Sequence, residues 1–136
     1  MLRTQREVFI LSVIFLSSVT LQAGDLVYPV PVTVTLAKNT QLTELAYIGK
    51  EYSVSFELFI NKFGTDTYQS VLHLSTGGNL DEMGNRNPAV FVYNTSPVQL
   101  HITSAVSGNK NMAKNFPGLV ENKWQKIEIS QKLVDG

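Results

Sequence analysis

The densest group of metal-binding side chains lies in the segment NLDEMGNRN, Asn79 to Asn87. It holds two carboxylates, Asp81 and Glu82, and three asparagine amide groups. Hard oxygen ligands of this kind suit calcium, which takes about six to eight of them. The EF-hand spacing is absent, because no glutamate stands at the twelfth position. The segment predicts a calcium site at Asn79, Asp81 and Glu82, or else an ordinary loop, since Asn, Asp and Gly equally favour turns.

Carboxylate pairs are the next group to consider, because glycoside hydrolysis needs two of them about 5 to 10 Å apart across one cleft. Asp81 and Glu82 are adjacent, so in an extended segment they point in opposite directions. Glu57 and Glu128 fall on the outer faces of separate predicted strands. The chain has no cysteine and no Gly-x-Ser-x-Gly motif. We therefore predict no catalytic residues and no enzymatic activity.

Histidines and aromatic residues offer binding chemistry instead. His73 and His101 stand in apolar segments, and two histidines do not supply the three or four ligands of a zinc site. We expect both rings to be partly buried. Exposed aromatic rings could form a platform for stacking sugars, and the candidates are Tyr68, Tyr93, Phe116 and Trp124. For Trp124 we favour a place in the core, because large aromatic side chains dominate the packing of β-sandwiches.

Asn94-Thr95-Ser96 is an N-glycosylation sequon in a predicted turn. Glycosylation at Asn94 fits the secretory leader described below.

The strand that must position these groups is Glu51 to Ile60, EYSVSFELFI. Tyr52, Val54, Phe56, Leu58 and Ile60 share one side of an extended chain. The opposite side is polar except for one phenylalanine. Alternation with a period of two over aromatic and β-branched residues predicts a half-buried strand, whose apolar side must lie against a second layer.

Further strands are predicted at intervals of about eight to twelve residues, with turn residues between them. They cover Asp25–Leu36 as an edge strand with two prolines, Val71–Ser75, Ala89–Tyr93 covered on both sides, Val98–Ser104, Phe116–Val120 and Lys123–Leu133. Thr76–Pro88 and Gly108–Lys114 are predicted as loops. No amphipathic helix is predicted after the leader. The pattern predicts an all-β, antiparallel two-sheet sandwich of the jelly-roll kind.

The N-terminus has the three parts of a secretory signal peptide. Arg3 and Arg6 form a basic region, Val8 to Val19 is apolar, and small residues end at Ala23. The apolar run of 12 residues is shorter than the roughly 20 needed to cross a bilayer. We predict a helical signal peptide over 1–23, cleaved after Ala23, and a secreted domain over 24–136 without a membrane span. The alternative is an uncleaved anchor.

Composition limits the partners. The chain has 136 residues, 43% hydrophobic and 16% charged, with a formal net charge of zero. This balance gives no basic face for nucleic acid. The absence of cysteine means that stability must come from a packed core. The Asp-Gly pair at the C-terminus favours a hairpin turn without a returning strand, so we expect a domain that is truncated there.

The order of features resembles the concanavalin A-like lectin/glucanase superfamily, particularly its laminin G-like jelly rolls. The segments that carry the resemblance are EYSVSFELFI, VLHLS before a glycine-rich loop, AVFVY and LVENKWQKIEISQ. In laminin G-like domains a turn followed by Trp-x-x-Ile-x-Ile opens a late strand, and Trp124 to Ile129 matches it. The glucanase cluster of acids along one strand is not reproduced in EYSVSFE.

The resemblance implies an extracellular recognition module, and in many members calcium sits in loops at one rim of the sandwich. We therefore expect a glycan or an extracellular protein as partner, with calcium the one cofactor that the loop chemistry suits. The alternatives are a glycan-cleaving enzyme on the same scaffold, or a structural fragment without a ligand. The contact surface is predicted at the loops Phe63–Ser70, Thr76–Pro88 and Gly108–Asn115. The predicted ligand-binding residues are Asn79, Asp81, Glu82, Asn85, Arg86 and Tyr68.

Overall fold

The computed structural model of the protein describes residues 14–23, 26–30, 34–36, 42, 49–76 and 85–134. These residues form nine β-strands in two antiparallel sheets, and no helix occurs among them. Within the same ranges nothing helical could reach across a lipid bilayer. The predicted all-β class and the two-sheet architecture are confirmed.

The first sheet has the strand order β2-β1-β4-β9, and β3 pairs with β1 beside β2. Its strands are β1 Ile14–Ala23, β2 Leu26–Val30, β3 Val34–Thr35, β4 Tyr52–Ile60 and β9 Trp124–Gln131. The second sheet has the order β5-β6-β7-β8, so that each strand pairs with the next along the chain. Its strands are β5 Tyr68–His73, β6 Ala89–Tyr93, β7 Gln99–Val106 and β8 Asn109–Pro117.

Strand β4 lies at the centre of the first sheet and alternates strictly between buried and half-buried residues. Tyr52, Val54, Phe56, Leu58 and Ile60 are all buried, as the sequence predicts. Both edges of β4 are paired, with β1 on one side and β9 on the other. A strand that is hydrogen-bonded on both edges and apolar on one face is therefore the support of the whole sheet.

The core lies between the two sheets. The apolar side of β4 meets Val90, Val92 and Leu100 of the second sheet in one cluster of buried residues. Val71 and Leu72 both belong to this cluster, although neighbours on a regular strand face opposite sides. The register between β5 and β6 shifts between Ser70 and Leu72. This irregularity lets two consecutive apolar side chains turn inward.

The segment predicted as the end of a helical leader is strand β1. Ile14 pairs with Ile60 at one end of β1 and Gln22 with Ser53 at the other. Leu21 is buried in the core cluster. The backbone N–H and C=O groups of this segment form hydrogen bonds by pairing with β4, just as they would within a helix. β-Branched and aromatic residues favour the strand. Residues 1–13 lie outside the described residues, and cleavage after Ala23 stays a prediction.

Three expectations for the C-terminal half are wrong. The predicted loop Gly108–Lys114 and the predicted strand Phe116–Val120 are replaced by β8, a partner of β7. Gly108 has a φ of 77° at the turn between them, a conformation that glycine adopts without strain. Trp124 is not in the core: its indole is 43% exposed and lies 5.4 Å from the ring of Phe59.

Candidate functional site

The outward face of the second sheet carries aromatic side chains where a one-sided sheet normally presents polar ones. Because Val90, Val92 and Leu100 face the core, the alternation of the strands turns Phe91, Tyr93 and His101 outward. Tyr68 lies opposite Tyr93 on β5, and His101 lies opposite Phe91 on β7. Pairing of β5, β6 and β7 thus brings together rings from three strands.

These rings contact one another closely. The rings of Tyr68 and Tyr93 are stacked, with centroids 4.5 Å apart and planes 5° from parallel. His101 lies 5.2 Å from Tyr68, 5.9 Å from Tyr93 and 6.0 Å from Phe91. The edge of His73 points to Phe91 at 5.1 Å. We call Tyr68, His73, Phe91, Tyr93 and His101 the aromatic face.

Solvent reaches the aromatic face unevenly. Phe91 is 7% exposed and supports the others, whereas Tyr68 is 47% exposed. Tyr93 and His101 are half-buried between them. In the described part of the chain, β5 is an edge strand, and the ring of Tyr68 packs against Tyr93 on the neighbouring strand β6. Tyr68 is therefore the ring that a ligand meets first.

Polar groups border the rings. The Asn115 side-chain oxygen lies 2.5 Å from Nδ1 of His101, a distance that corresponds to a hydrogen bond. The guanidinium of Arg86 lies over the ring of Phe91, 5.6 Å from its centroid, as in a cation–π contact. Ser70 lies next to Nδ1 of His73 at 3.5 Å. Hydroxyl, amide, imidazole and guanidinium groups thus surround one patch of aromatic carbon.

Two titratable groups of the aromatic face, Tyr68 and His73, have pKa values shifted in favour of their neutral forms. Burial, together with the hydroxyl of Tyr93, raises the pKa of Tyr68, so its phenol keeps its proton at neutral pH. Burial, and then the charge of Arg86, lowers the pKa of His73. A neutral imidazole and a neutral phenol can each donate and accept a hydrogen bond.

Such a surface can bind a flat ligand that carries hydroxyl groups. An aromatic ring has a negative face, which attracts the weakly positive C–H bonds of a ring stacked upon it. Neutral donors and acceptors around the ring can then hydrogen-bond to hydroxyls at the rim of the ligand. A sugar ring combines one face of C–H bonds with a rim of hydroxyls.

The structure unites two of the predicted ligand-binding residues. Tyr68 and Arg86 both contact Phe91, although they are separated by the long loop. Asn85 is buried, and its side-chain oxygen accepts a hydrogen bond from the Thr76 hydroxyl at 3.2 Å, so it holds the ends of that loop together. Asn79, Asp81 and Glu82 lie outside the described residues.

The calcium site stays a prediction, because its three predicted ligands are not described. Among the residues that are described, no three His, Cys, Asp or Glu side chains come together. Asn87 belongs to the same predicted segment, and its side-chain oxygen accepts a hydrogen bond from the Ser104 hydroxyl at 3.0 Å.

Two of the predicted contact loops, Phe63–Ser70 and Gly108–Asn115, and the sequon lie among the described residues. Asn115 and its neighbours in the third predicted loop belong to β8. The side-chain amide of Asn94 donates hydrogen bonds to the carbonyl oxygens of Gly64 and Asp66, at 2.9 and 2.5 Å. Asn94 therefore holds the β4–β5 loop, and a glycan on this nitrogen would replace one of its two hydrogens. Glycosylation at Asn94 stays a prediction.

Sequence reasoning missed Phe91 and His101 as parts of the site. The segment AVFVY is apolar at every position, so its alternation does not distinguish the core side from the outer side. One signal was present: the two aromatic residues, Phe91 and Tyr93, share a side and the two valines share the other. Phe116 and Trp124, the other candidates for a stacking platform, lie away from the aromatic face on β8 and β9.

No protein-family model, curated protein sequence or solved structure matches this chain.

Proposed function

We propose that the protein is a non-enzymatic extracellular recognition module that binds glycan through the aromatic face. One observation carries this proposal: Tyr68 presents an exposed ring that is stacked on Tyr93 and bordered by hydroxyl, amide, imidazole and guanidinium groups. The proposal moves the binding surface from the rim loops to the face of a sheet. It keeps Tyr68 and Arg86 as binding residues.

Two further predictions from the sequence, the concanavalin A-like fold and secretion, agree with this function and are part of the proposal. A concanavalin A-like jelly roll is consistent with two antiparallel sheets that share one core. Secretion depends on the leader pattern alone. The rings of the aromatic face come from β5, β6 and β7 of the other sheet, so no residue of the predicted leader belongs to the proposed site.

The alternative function, cleavage of glycans on the same scaffold, has less support. Of the acids discussed above, Glu57 and Glu128 are described, and both lie on the first sheet, away from the aromatic face. Glu128 forms an ion pair with Lys126, with 2.7 Å between the charged atoms. A carboxylate that cleaves a bound sugar must lie beside that sugar. The groups described at the aromatic face are its rings, and those described at its border include the Asn115 amide and the Arg86 guanidinium rather than a carboxylate.

A glycan array with the full chain, followed by calorimetry on the best ligand, tests the proposal. We expect Tyr68→Ala to lower the affinity about tenfold, which corresponds to about 1.4 kcal/mol. Trp124→Ala is the matched control, because Trp124 is 43% exposed but lies on the first sheet. Equal losses in both variants, or an array without any bound glycan, would contradict the proposal.

A further inference from the structure

The two sheets end on the same side of the molecule. In the described part of the chain, β9 has the neighbour β4 on one edge only, and β8 has the neighbour β7 on one edge only. An unpaired strand edge presents a row of free backbone donors and acceptors, to which another extended chain can pair. Between β8 and β9 lies an open groove of about 480 Å³, which we call the β8–β9 groove.

Among the described residues, nothing packs over either face of strand β8. Eight of its nine residues are exposed, and only Asn111 is half-buried. Met112 and Phe116 line the β8–β9 groove, yet they are 38% and 41% exposed. They lie opposite Ser104 and Leu100, which are buried residues of β7. The first sheet therefore covers the second sheet as far as β7, and the inward side of β8 extends beyond it.

Side-chain contacts between the two sheets show which strand of the first sheet lies over β7. The Ser104 hydroxyl oxygen of β7 lies 2.6 Å from the side-chain oxygen of Gln131 on β9. The Tyr52 hydroxyl lies 2.5 Å from the same Ser104 oxygen. Strand β9 thus lies over β7. The next position in the first sheet, beside β9 and over β8, is the β8–β9 groove.

The strand order leaves room beside β9 for one added strand, but not for a second sandwich that pairs antiparallel through its own β9. If β9 paired with β9 of a second copy about a two-fold axis, the second sheet of that copy would enter the layer that β7 and β8 already fill. A single extended segment has no second layer and meets no such obstacle. Its inward side chains would cover Met112 and Phe116 in the way that Ile127 and Ile129 of β9 cover the core.

Charge specifies the segment further. Lys114 stands between Met112 and Phe116 on the groove side, and its ammonium lies 5.6 Å from the centroid of the Phe116 ring. Lys132 lines the same groove. Glu128 also lines it, but its carboxylate is already paired with Lys126. On the groove side of β8, alternate positions therefore carry an apolar, a cationic and an apolar side chain. A bound strand complements them if its own alternate positions carry an apolar, an acidic and an apolar side chain.

We propose that the β8–β9 groove binds one extended segment of a partner protein, which adds to the open edge of β9 as a strand. The segment carries apolar, acidic and apolar side chains at alternate positions, all facing β8. Backbone hydrogen bonds to β9 supply affinity, and the alternate side chains supply specificity. This site is separate from the aromatic face and does not depend on glycan binding.

Fluorescence anisotropy with a labelled nine-residue peptide tests the proposal. The peptide has valine, glutamate and isoleucine at its three central alternate positions and threonine elsewhere. We expect saturable binding to the full chain, and slower hydrogen exchange of β9 backbone amides when the peptide is bound. Lys114→Glu should weaken binding about tenfold, and a peptide with lysine in place of glutamate should bind that variant better than it binds the original chain.

Lys123→Glu is the matched control, because it makes the same charge change on an exposed lysine outside the groove. It should leave the affinity within about twofold. No peptide binding, equal weakening by both lysine variants, or binding without protection of β9 would overturn the proposal. So would a dimer of the free chain in sedimentation that Phe116→Asp dissociates, since it would assign the groove to a second copy.

Discussion

Phe56 and Phe59 are both phenylalanines of β4, but they face opposite sides of the first sheet. Phe56 is 1% exposed in the core, whereas Phe59 lies on the outer face against Trp124. We expect Phe56→Ala to cost about 3 to 5 kcal/mol of unfolding free energy, because it removes a fully buried ring and leaves a cavity. Phe59→Ala should cost about 1 kcal/mol.

Urea denaturation of the two variants measures both values. Each variant is the control for the other, because both replace a phenylalanine of β4 with alanine. Similar losses for Phe56→Ala and Phe59→Ala would mean that the two sheets do not enclose the core described above.

His73 makes stability depend on pH. Burial first, and the charge of Arg86 second, lower the pKa of His73 in the folded protein. In the unfolded chain histidine titrates near about 6.5, so the unfolded state takes up this proton first as pH falls. The stability contribution is present above that pH and is lost as pH falls through the lower pKa of the folded state.

Urea midpoints measured at about pH 7.5 and about pH 5.5 should therefore fall less in His73→Gln than in the original chain. NMR titration of the His73 ring gives a second readout: Arg86→Gln should raise its pKa, because the nearby positive charge is removed. An unchanged pKa in that variant would contradict the contact between Arg86 and the aromatic face.

Strand β1 links the fold to the predicted leader. It is paired with β4, β2 and β3, so its removal would open one edge of β4 and leave β2 and β3 without their partner. We expect a chain that starts at Gly24 to lose cooperative unfolding or to aggregate, because an open central strand edge and an uncovered core are exposed together. Thermal unfolding and sedimentation measure this.

A chain that starts at Ile14 is the control, because it lacks thirteen residues but keeps β1 whole. It should melt like the full chain. If the chain from Gly24 is equally stable and monomeric, β1 is dispensable, and cleavage after Ala23 is compatible with the fold. Mass spectrometry of exported protein then identifies the natural N-terminus.

At the scale of the whole molecule, charge separates the two proposed sites. The net charge is zero, the pKa shifts of Tyr68 and His73 favour their neutral forms, and Arg86 is a charged group at the border of the aromatic face. We expect the affinity for a neutral glycan to change less than twofold between about 0.05 and 0.5 M salt, because stacking and neutral hydrogen bonds are not screened. Peptide binding at Lys114 should weaken over the same range.

Titrations at both salt concentrations, with one protein preparation, measure the two affinities together. Glycan binding that weakens with salt as strongly as peptide binding would contradict a neutral site at the aromatic face. It would favour binding through surface charges elsewhere on the chain.

The sequence by itself determined the local structure wherever one face of a strand is apolar and the other is polar. In β4 the alternation alone predicted which side is buried, and in β9 it placed Ile127 and Ile129 inward. The same parity, applied strictly, would have put Trp124 outside. Alternation is a local property, because successive side chains of any strand point to opposite sides.

Only the tertiary structure decided which strands pair and what the outer surface carries. Strand β8 was missed because its residues are polar or exposed on both faces, and it exists as a strand through pairing with β7. The aromatic face joins Tyr68, Phe91 and His101 from three strands. Their contact depends on the register between distant segments, which backbone hydrogen bonds and the shared core select and which no local pattern encodes.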